Sequence, residues 1–211
     1  MIDQRENQNR VYRLLKNLLT PLLKIVLGLK IINQERFPME GGVIVAPNHV
    51  SNFDPLVVGA ASPRQLHFLA KAELFRIPVF SSILRRANSI PLHRRAADRN
   101  ALVSAIRVLE ARHPLLVFPE GTRSKTGELM EGKRGVGMLA ANGRVQVLPV
   151  HISGTFRILP VLWRTRVVVR FGKPFAIKSF LKLGVSSKEL YRKIGEETMN
   201  RIKELRDAHH D

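Results

Sequence analysis

Two short stretches of this chain combine residue types that can move a proton and hold an anion. The first is Pro47-Asn48-His49-Val50-Ser51-Asn52-Phe53-Asp54-Pro55. An imidazole takes up and returns a proton near neutral pH. A carboxylate held against one ring nitrogen fixes its tautomer and stabilises the imidazolium. A turn between His49 and Asp54 would fold the carboxylate back onto the ring. A plainer role is open to the same residues, in which Asp54 caps a helix that begins with Pro55 and His49 is a loop histidine. Spacing alone does not choose, because it recurs as His93-Arg94-Arg95-Ala96-Ala97-Asp98. That second copy lies in an arginine-dense stretch just ahead of a helix, where Asp98 reads as a cap. Context favours the first copy, which follows an apolar strand and has Asn48 before the histidine and Ser51 two residues after it.

The second stretch is Phe118-Pro119-Glu120-Gly121-Thr122-Arg123-Ser124, directly after the apolar run Leu115-Leu116-Val117. Gly121 lets a backbone approach a ligand, Thr122 and Ser124 offer hydroxyls, and the planar fork of Arg123 suits a phosphate bidentately. An ordinary polar turn with Glu120 paired to Arg123 is the alternative. The phosphate-loop spacing Gly-x4-Gly-Lys-Ser/Thr is absent. Two further stretches carry less by themselves. Residues 71–94 begin at Lys71, include Arg85, Arg86 and Arg94, and read as a basic surface. Residues 147–155, with Pro149 and His151, read as a buried strand ending in a turn.

Elements to position these groups are visible in the hydrophobic pattern. Strands are expected at Val43–Ala46, His67–Ala70, Leu115–Phe118, Val145–Ile152 and Val167–Phe171, and helices near 54–61, 97–112, 133–142 and 186–206. The last helix is expected to begin at a Ser187-Lys-Glu cap region. Strands alternating with helices predict an α/β domain with a mixed, largely parallel sheet flanked by helices. Residues 10–32 predict an amphipathic helix, kinked or divided at Pro21. Arg10, Arg13, Lys16, Asn17, Thr20 and Lys24 gather on one side, opposite a wide leucine-rich face. Such a helix suits either the plane of a membrane surface or packing on the domain core. The expected organisation is residues 1–35 as this amphipathic segment and 36–211 as the α/β domain.

Composition narrows the partners. The chain has 211 residues, a net charge of +18 and no cysteine. A thiol nucleophile, thiolate metal ligands and disulfides are therefore excluded. The charge implies an anionic partner, either nucleic acid or an acidic membrane surface. Aromatic residues make up only 6% of the chain, which weakens a single-strand nucleic-acid reading, since such proteins usually need stacking platforms. No apolar run is long enough for a transmembrane helix, and basic residues interrupt the N-terminal run where a signal peptide would be uniform.

The four stretches, in this order, resemble the glycerolipid acyltransferase family, especially the 1-acylglycerol-3-phosphate acyltransferases. The likeness runs over residues 41–175, with near-complete Asn-His-x4-Asp and Phe-Pro-Glu-Gly-Thr-Arg-Ser blocks. The resemblance implies His49 as general base and Asp54 as its orienter. It implies that Glu120, Gly121, Thr122 and Arg123 bind the glycerol-phosphate acceptor, with Arg123 on the phosphate. Lys71 and Arg94 match the basic ends of the second block, also associated with the acceptor. Asn48, Ser51, Pro119, Ser124 and Pro149 fall on the remaining block positions as supporting residues. The chain departs from the family pattern at Ser82 and Asn88, where glycines are usual, and at His93, where aspartate is common.

The implied reaction moves an acyl group from acyl-CoA or acyl carrier protein onto the sn-2 hydroxyl of lysophosphatidic acid, directly and without an acyl-enzyme. The alternatives are glycerol-3-phosphate or another lysolipid as acceptor, or a non-catalytic basic protein that binds membrane or nucleic acid. No serine lies in a Gly-x-Ser-x-Gly elbow. Neither a metal nor another cofactor is expected, and no nucleic-acid partner. Backbone N–H groups near residues 51–55 are the expected oxyanion donors. The N-terminal helix would hold the protein on the anionic cytoplasmic face of the cell membrane, as a peripheral or monotopic enzyme.

Overall fold

The structure is a computed structural model that describes residues 10–93, 98–156, 166–182 and 184–208, with the backbone alone for residues 10–15, 79, 80 and 83. The first helix, α1, spans Arg10–Val26 and runs through Pro21 as one element. It ends where Gly28 adopts φ 56°, a left-handed conformation that glycine reaches at no steric cost. Leu27 and Leu29 both donate their N–H groups to Leu23 O and so close the last turn. The helix expected to reach residue 32 therefore stops early. Lys30–Ile32 instead forms strand β1.

The described chain continues as β2 (Val43–Pro47), α2 (Asp54–Ala61), β3 (His67–Lys71), α3 (Pro78–Arg86), β4 (Ser89–Leu92), α4 (Arg99–Glu110) and β5 (Pro114–Leu116). It ends with α5 (Arg134–Gly143), β6 (Gln146–Ser153), β7 (Val168–Phe171), α6 (Lys178–Leu181) and α7 (Ser187–Asp207). The strand order is β1-β7-β6-β2-β5-β3-β4. Strands β6, β2, β5, β3 and β4 run parallel, while β7 turns back against β6 and carries β1 beside it. The sheet is thus mixed and largely parallel, as the alternation of elements predicts. Strands β1 and β4 and helices α3 and α6 have no counterpart in the predicted elements. The cap of α7 is Ser186, whose Oγ accepts the N–H of Glu189, rather than the Ser187 expected.

Both faces of the sheet are covered, which is why its central strands are apolar on both sides. Val43 and Val45 pack with Leu23 of α1, with Leu27 just beyond its end, and with Val57, Val58, Ala60 and Ala61 of α2. Ile44 and Ala46 face the other way, onto Ala105 and Leu109 of α4, Val136 and Leu139 of α5 and Ile194 of α7. Glycines let α5 and α7 meet closely, since a Cβ on Gly137 would fall 2.2 Å from Tyr191 O.

Helix α1 divides its apolar arc. Leu23 is buried and Leu19 packs against the same core, whereas Leu18 and Ile25 are 72% and 82% exposed. Part of the polar side faces inward: Lys16 Nζ donates to Ser62 O, and Thr20 Oγ1 donates to Ala60 O at 3.3 Å. The lysine thus ends on a carbonyl beyond the C-terminus of α2, where a cation is favoured. Burial lowers its pKa. Among the described residues, no helix is long and apolar enough to cross a membrane.

Candidate active site

The site forms where the loops after β2, β5 and β6 meet, outside the carboxyl ends of adjacent parallel strands. Asn48 begins it by continuing the β2–β6 pairing with its side chain. Its Nδ2 donates to Ile152 O at 3.0 Å, and its Oδ1 accepts the N–H of Ile152 at 2.7 Å. These two bonds tie the position of the next residue, His49, to a rigid strand.

The carboxylate of Asp54 lies 2.9 Å from His49 Nδ1 through Oδ2. The same oxygen accepts the backbone N–H groups of Val50 and Ser51, each at 2.7 Å. The other oxygen, Oδ1, accepts the hydroxyl of Thr155 at 2.7 Å. Asp54 has 0% exposure, so four bonds replace the water that its charge loses. The simple cap reading of Asp54 fails here. Phe53 is the N-cap of α2 and makes no side-chain cap bond, while the Asp54 carboxylate turns back toward the loop. By contrast Asp98, in the second His-x4-Asp copy, is a cap. It accepts the N–H of Ala101 at 3.0 Å and that of His93 at 2.9 Å.

The imidazole of His49 is stacked on Phe118, with centroids 3.8 Å apart and planes inclined by 17°. The loop after β5 also grips the His49 backbone: Glu120 Oε1 accepts its N–H at 3.0 Å, and the N–H of Ser124 donates to its carbonyl at 2.8 Å. Glu120 is fully buried, and its Oε2 has no hydrogen-bond partner among the described residues. Burial pushes its carboxyl up to about 7, with the nearby Asp54 charge adding to the rise and the bond from His49 N–H opposing it.

A cavity of about 540 Å³ opens beside His49. Its wall is mostly apolar, with Leu69, Leu116, Val117, Val136 and Leu139, and its polar lining is His49, His93, Asp98, Thr122 and Lys133. Pro119, Gly121 and Thr122, all anticipated, lie on this wall. Glu120 does not reach it, being enclosed behind His49. Arg123 is exposed on the same loop, and Lys71 is exposed at the end of β3; neither is part of the cavity lining. Ser51 and Ser124 are buried supports, and Ser51 Oγ accepts the N–H of Phe53 at 3.3 Å. Pro149 is buried in β6 against Gly172. Arg94 lies outside the described residues.

The expected oxyanion donors are largely committed elsewhere. The N–H groups of Ser51, Phe53 and Asp54 are bonded within the loop, and Pro55 has none. Phe118, Thr155 and Lys133 were not anticipated. Stacking by Phe118 and the Thr155 bond arise from residues distant in sequence, and Lys133 has no sequence signal beyond standing first in the helix expected near 133–142.

A histidine held by a buried carboxylate, beside an apolar cavity at the strand ends of an α/β sheet, is an arrangement that can take up and return a proton in a transferase or hydrolase. The chain belongs to the Acyltransferase family, whose sequence profile matches residues 28–153. It is 28% identical over 196 residues to the 1-acyl-sn-glycerol-3-phosphate acyltransferase of Bacillus subtilis (strain 168), covering 92% of this chain and 96% of the relative. It is 29% identical over 185 residues to the enzyme of that name from Streptococcus pneumoniae, covering 86% of this chain and 67% of the relative. The crystal structure of the 1-acyl-sn-glycerophosphate (LPA) acyltransferase of Thermotoga maritima superposes with a TM-score of 0.74 at 29% identity, over 98% of this chain and 84% of that one.

Proposed function

We propose that this acyltransferase moves a fatty acyl group from an acyl thioester to the free sn-2 hydroxyl of 1-acylglycerol-3-phosphate, giving phosphatidic acid. The observation that carries this reading is the His49–Asp54 pair on the wall of a largely apolar cavity. The Asp54 carboxylate is surrounded by donors and acts purely as an acceptor. The ring proton of neutral His49 therefore sits on Nδ1, and Nε2 carries the lone pair.

In the transfer, Nε2 takes the hydroxyl proton as the acceptor oxygen bonds to the thioester carbonyl carbon. The carbon–sulfur bond then breaks, and the imidazolium returns its proton to the departing thiolate. Asp54 stabilises the charge that His49 carries between these steps, and no acyl group is attached to the protein. General-base help of this kind contributes roughly 10²–10⁴-fold. The apolar wall suits an acyl chain, and the donor is acyl-CoA or acyl carrier protein. The acceptor follows from the names of the relatives and from the Gly121–Thr122 segment beside His49.

The exposed Leu18, Leu22 and Ile25 of α1 support a peripheral seat on a membrane, and the net charge of +18 supports an anionic surface, proposed as the cytoplasmic face. Each basic residue held near such a surface adds about 1 kcal/mol. A donor and acceptor panel tests the function. Thiol release from acyl-CoA and acyl carrier protein is measured with lysophosphatidic acid, glycerol-3-phosphate and monoacylglycerol. Lysophosphatidic acid is expected to turn over fastest with one of the two donors. A preference for the acceptor without phosphate would overturn the reading.

A further inference from the structure

Among the described residues, Lys133 is the only lysine or arginine on the wall of the cavity that contains His49. Its position is built from three sides. Its N–H donates to Pro119 O at 2.8 Å, which ties it to the loop carrying Glu120 and Gly121. Its carbonyl lies against α7, where a Cβ on Gly195 would fall 2.8 Å from Lys133 O. Its side chain lies over Gly121, where an added Cβ would come within 3.0 Å of Lys133 Cδ and 3.7 Å of Nζ. Gly121 also has φ +68°, a conformation that side chains with a Cβ rarely adopt. The glycine thus gives the loop its turn and leaves room for the lysine stem. No acidic side chain pairs with Lys133 among the described residues.

We propose that Lys133 binds the phosphate of the acceptor. This rests on the acyltransferase reading given above. In 1-acylglycerol-3-phosphate the phosphate is carried on the carbon next to the one bearing the reacting hydroxyl. A cation that holds it must therefore share a cavity wall with the base that takes the hydroxyl proton. Lys133 meets that condition, whereas Arg123 and Lys71 do not line the cavity. The phosphates of a CoA donor are separated from its thioester by the long pantetheine arm, so a cation beside His49 is placed for the acceptor. Lysine serves such a site as a point charge with three donors.

Lys133 is exposed, so replacing it leaves the core intact. Initial rates of thiol release are measured for wild type, Lys133→Met and Lys133→Arg, varying lysophosphatidic acid and acyl-CoA in turn. Lys133→Met is expected to raise KM for lysophosphatidic acid roughly 10- to 100-fold, the usual loss for a bond to a charged group. KM for acyl-CoA and the rate with monoacylglycerol stay unchanged, and Lys133→Arg recovers most of the loss. An unchanged KM for lysophosphatidic acid in Lys133→Met would overturn the proposal while leaving the activity established. A rise confined to acyl-CoA would overturn it too, by assigning Lys133 to the donor phosphates. Wild-type protein inactive on lysophosphatidic acid would remove the function itself, and this proposal with it.

Discussion

Thr155 donates its hydroxyl hydrogen to Asp54 Oδ1 at 2.7 Å, across 101 positions of sequence. The bond fixes the carboxylate from the side opposite His49, because Oδ2 is taken by the ring and by two backbone N–H groups. Thr155 is 1% exposed, so water does not replace its hydroxyl when it is removed. A buried acceptor left without its donor costs about 1–3 kcal/mol.

Thr155→Val keeps the shape and removes the donor. Turnover with lysophosphatidic acid is expected to fall about tenfold, since the orienter of His49 loses one anchor, with KM little changed. Thr155→Ser restores the hydroxyl and most of the rate. Equal turnover in Thr155→Val and wild type would show that the Asp54 rotamer needs no second anchor.

Such a partner is hard to see in a sequence, and the reason is physical. His49 and Asp54 are legible because the turn joining them is local and the residue types are rare. Thr155 reaches them only because β6 pairs with β2, and a hydroxyl carries no spacing signature. The same division applies to the fold. Helix α2, the buried strands β2 and β6 and the half-buried strand β3 follow from apolar runs of the right length. Strand β4 is short and holds Pro91, which a strand tolerates at a sheet edge, where β4 lies. Strand β1 hides in the apolar run that continues from α1, and only the left-handed Gly28 separates the two. Lys133 stands at the start of the helix expected near 133–142, and nothing in its type or spacing marks it as a site residue until α5 and α7 are packed.

Glu120 gives the molecule a pH dependence of stability whose sign is fixed. At low pH its carboxyl is protonated in both the folded and the unfolded chain. As pH rises, the unfolded chain ionises first, at the ordinary value near 4.5, while the folded group holds its proton to about 7. Stability therefore falls across that window, by up to the order of 3 kcal/mol. Glu120→Gln keeps an oxygen for the N–H of His49 and cannot ionise. Urea unfolding between about pH 4.5 and 7 is expected to show wild-type stability falling relative to this variant. Parallel curves for the two proteins would contradict the placement of a titrating Glu120.

The outward residues of α1 separate membrane attachment from core packing. Leu18, Leu22 and Ile25 are exposed, while Leu23 and Leu27 are in the core. Changing the first three to serine removes apolar area available to a bilayer at about 25 cal/mol per Å² and leaves the core untouched. Sedimentation with anionic liposomes is expected to drop sharply, with the unfolding midpoint in urea little moved. Undiminished liposome binding would assign attachment to another surface.

The most direct test of the central claim is thiol release from an acyl thioester with lysophosphatidic acid, comparing wild type with His49→Ala at equal folded concentration. A base on Nε2 predicts a loss of roughly 10²–10⁴-fold in turnover for the variant. Full thiol release by His49→Ala with the same acceptor would contradict it.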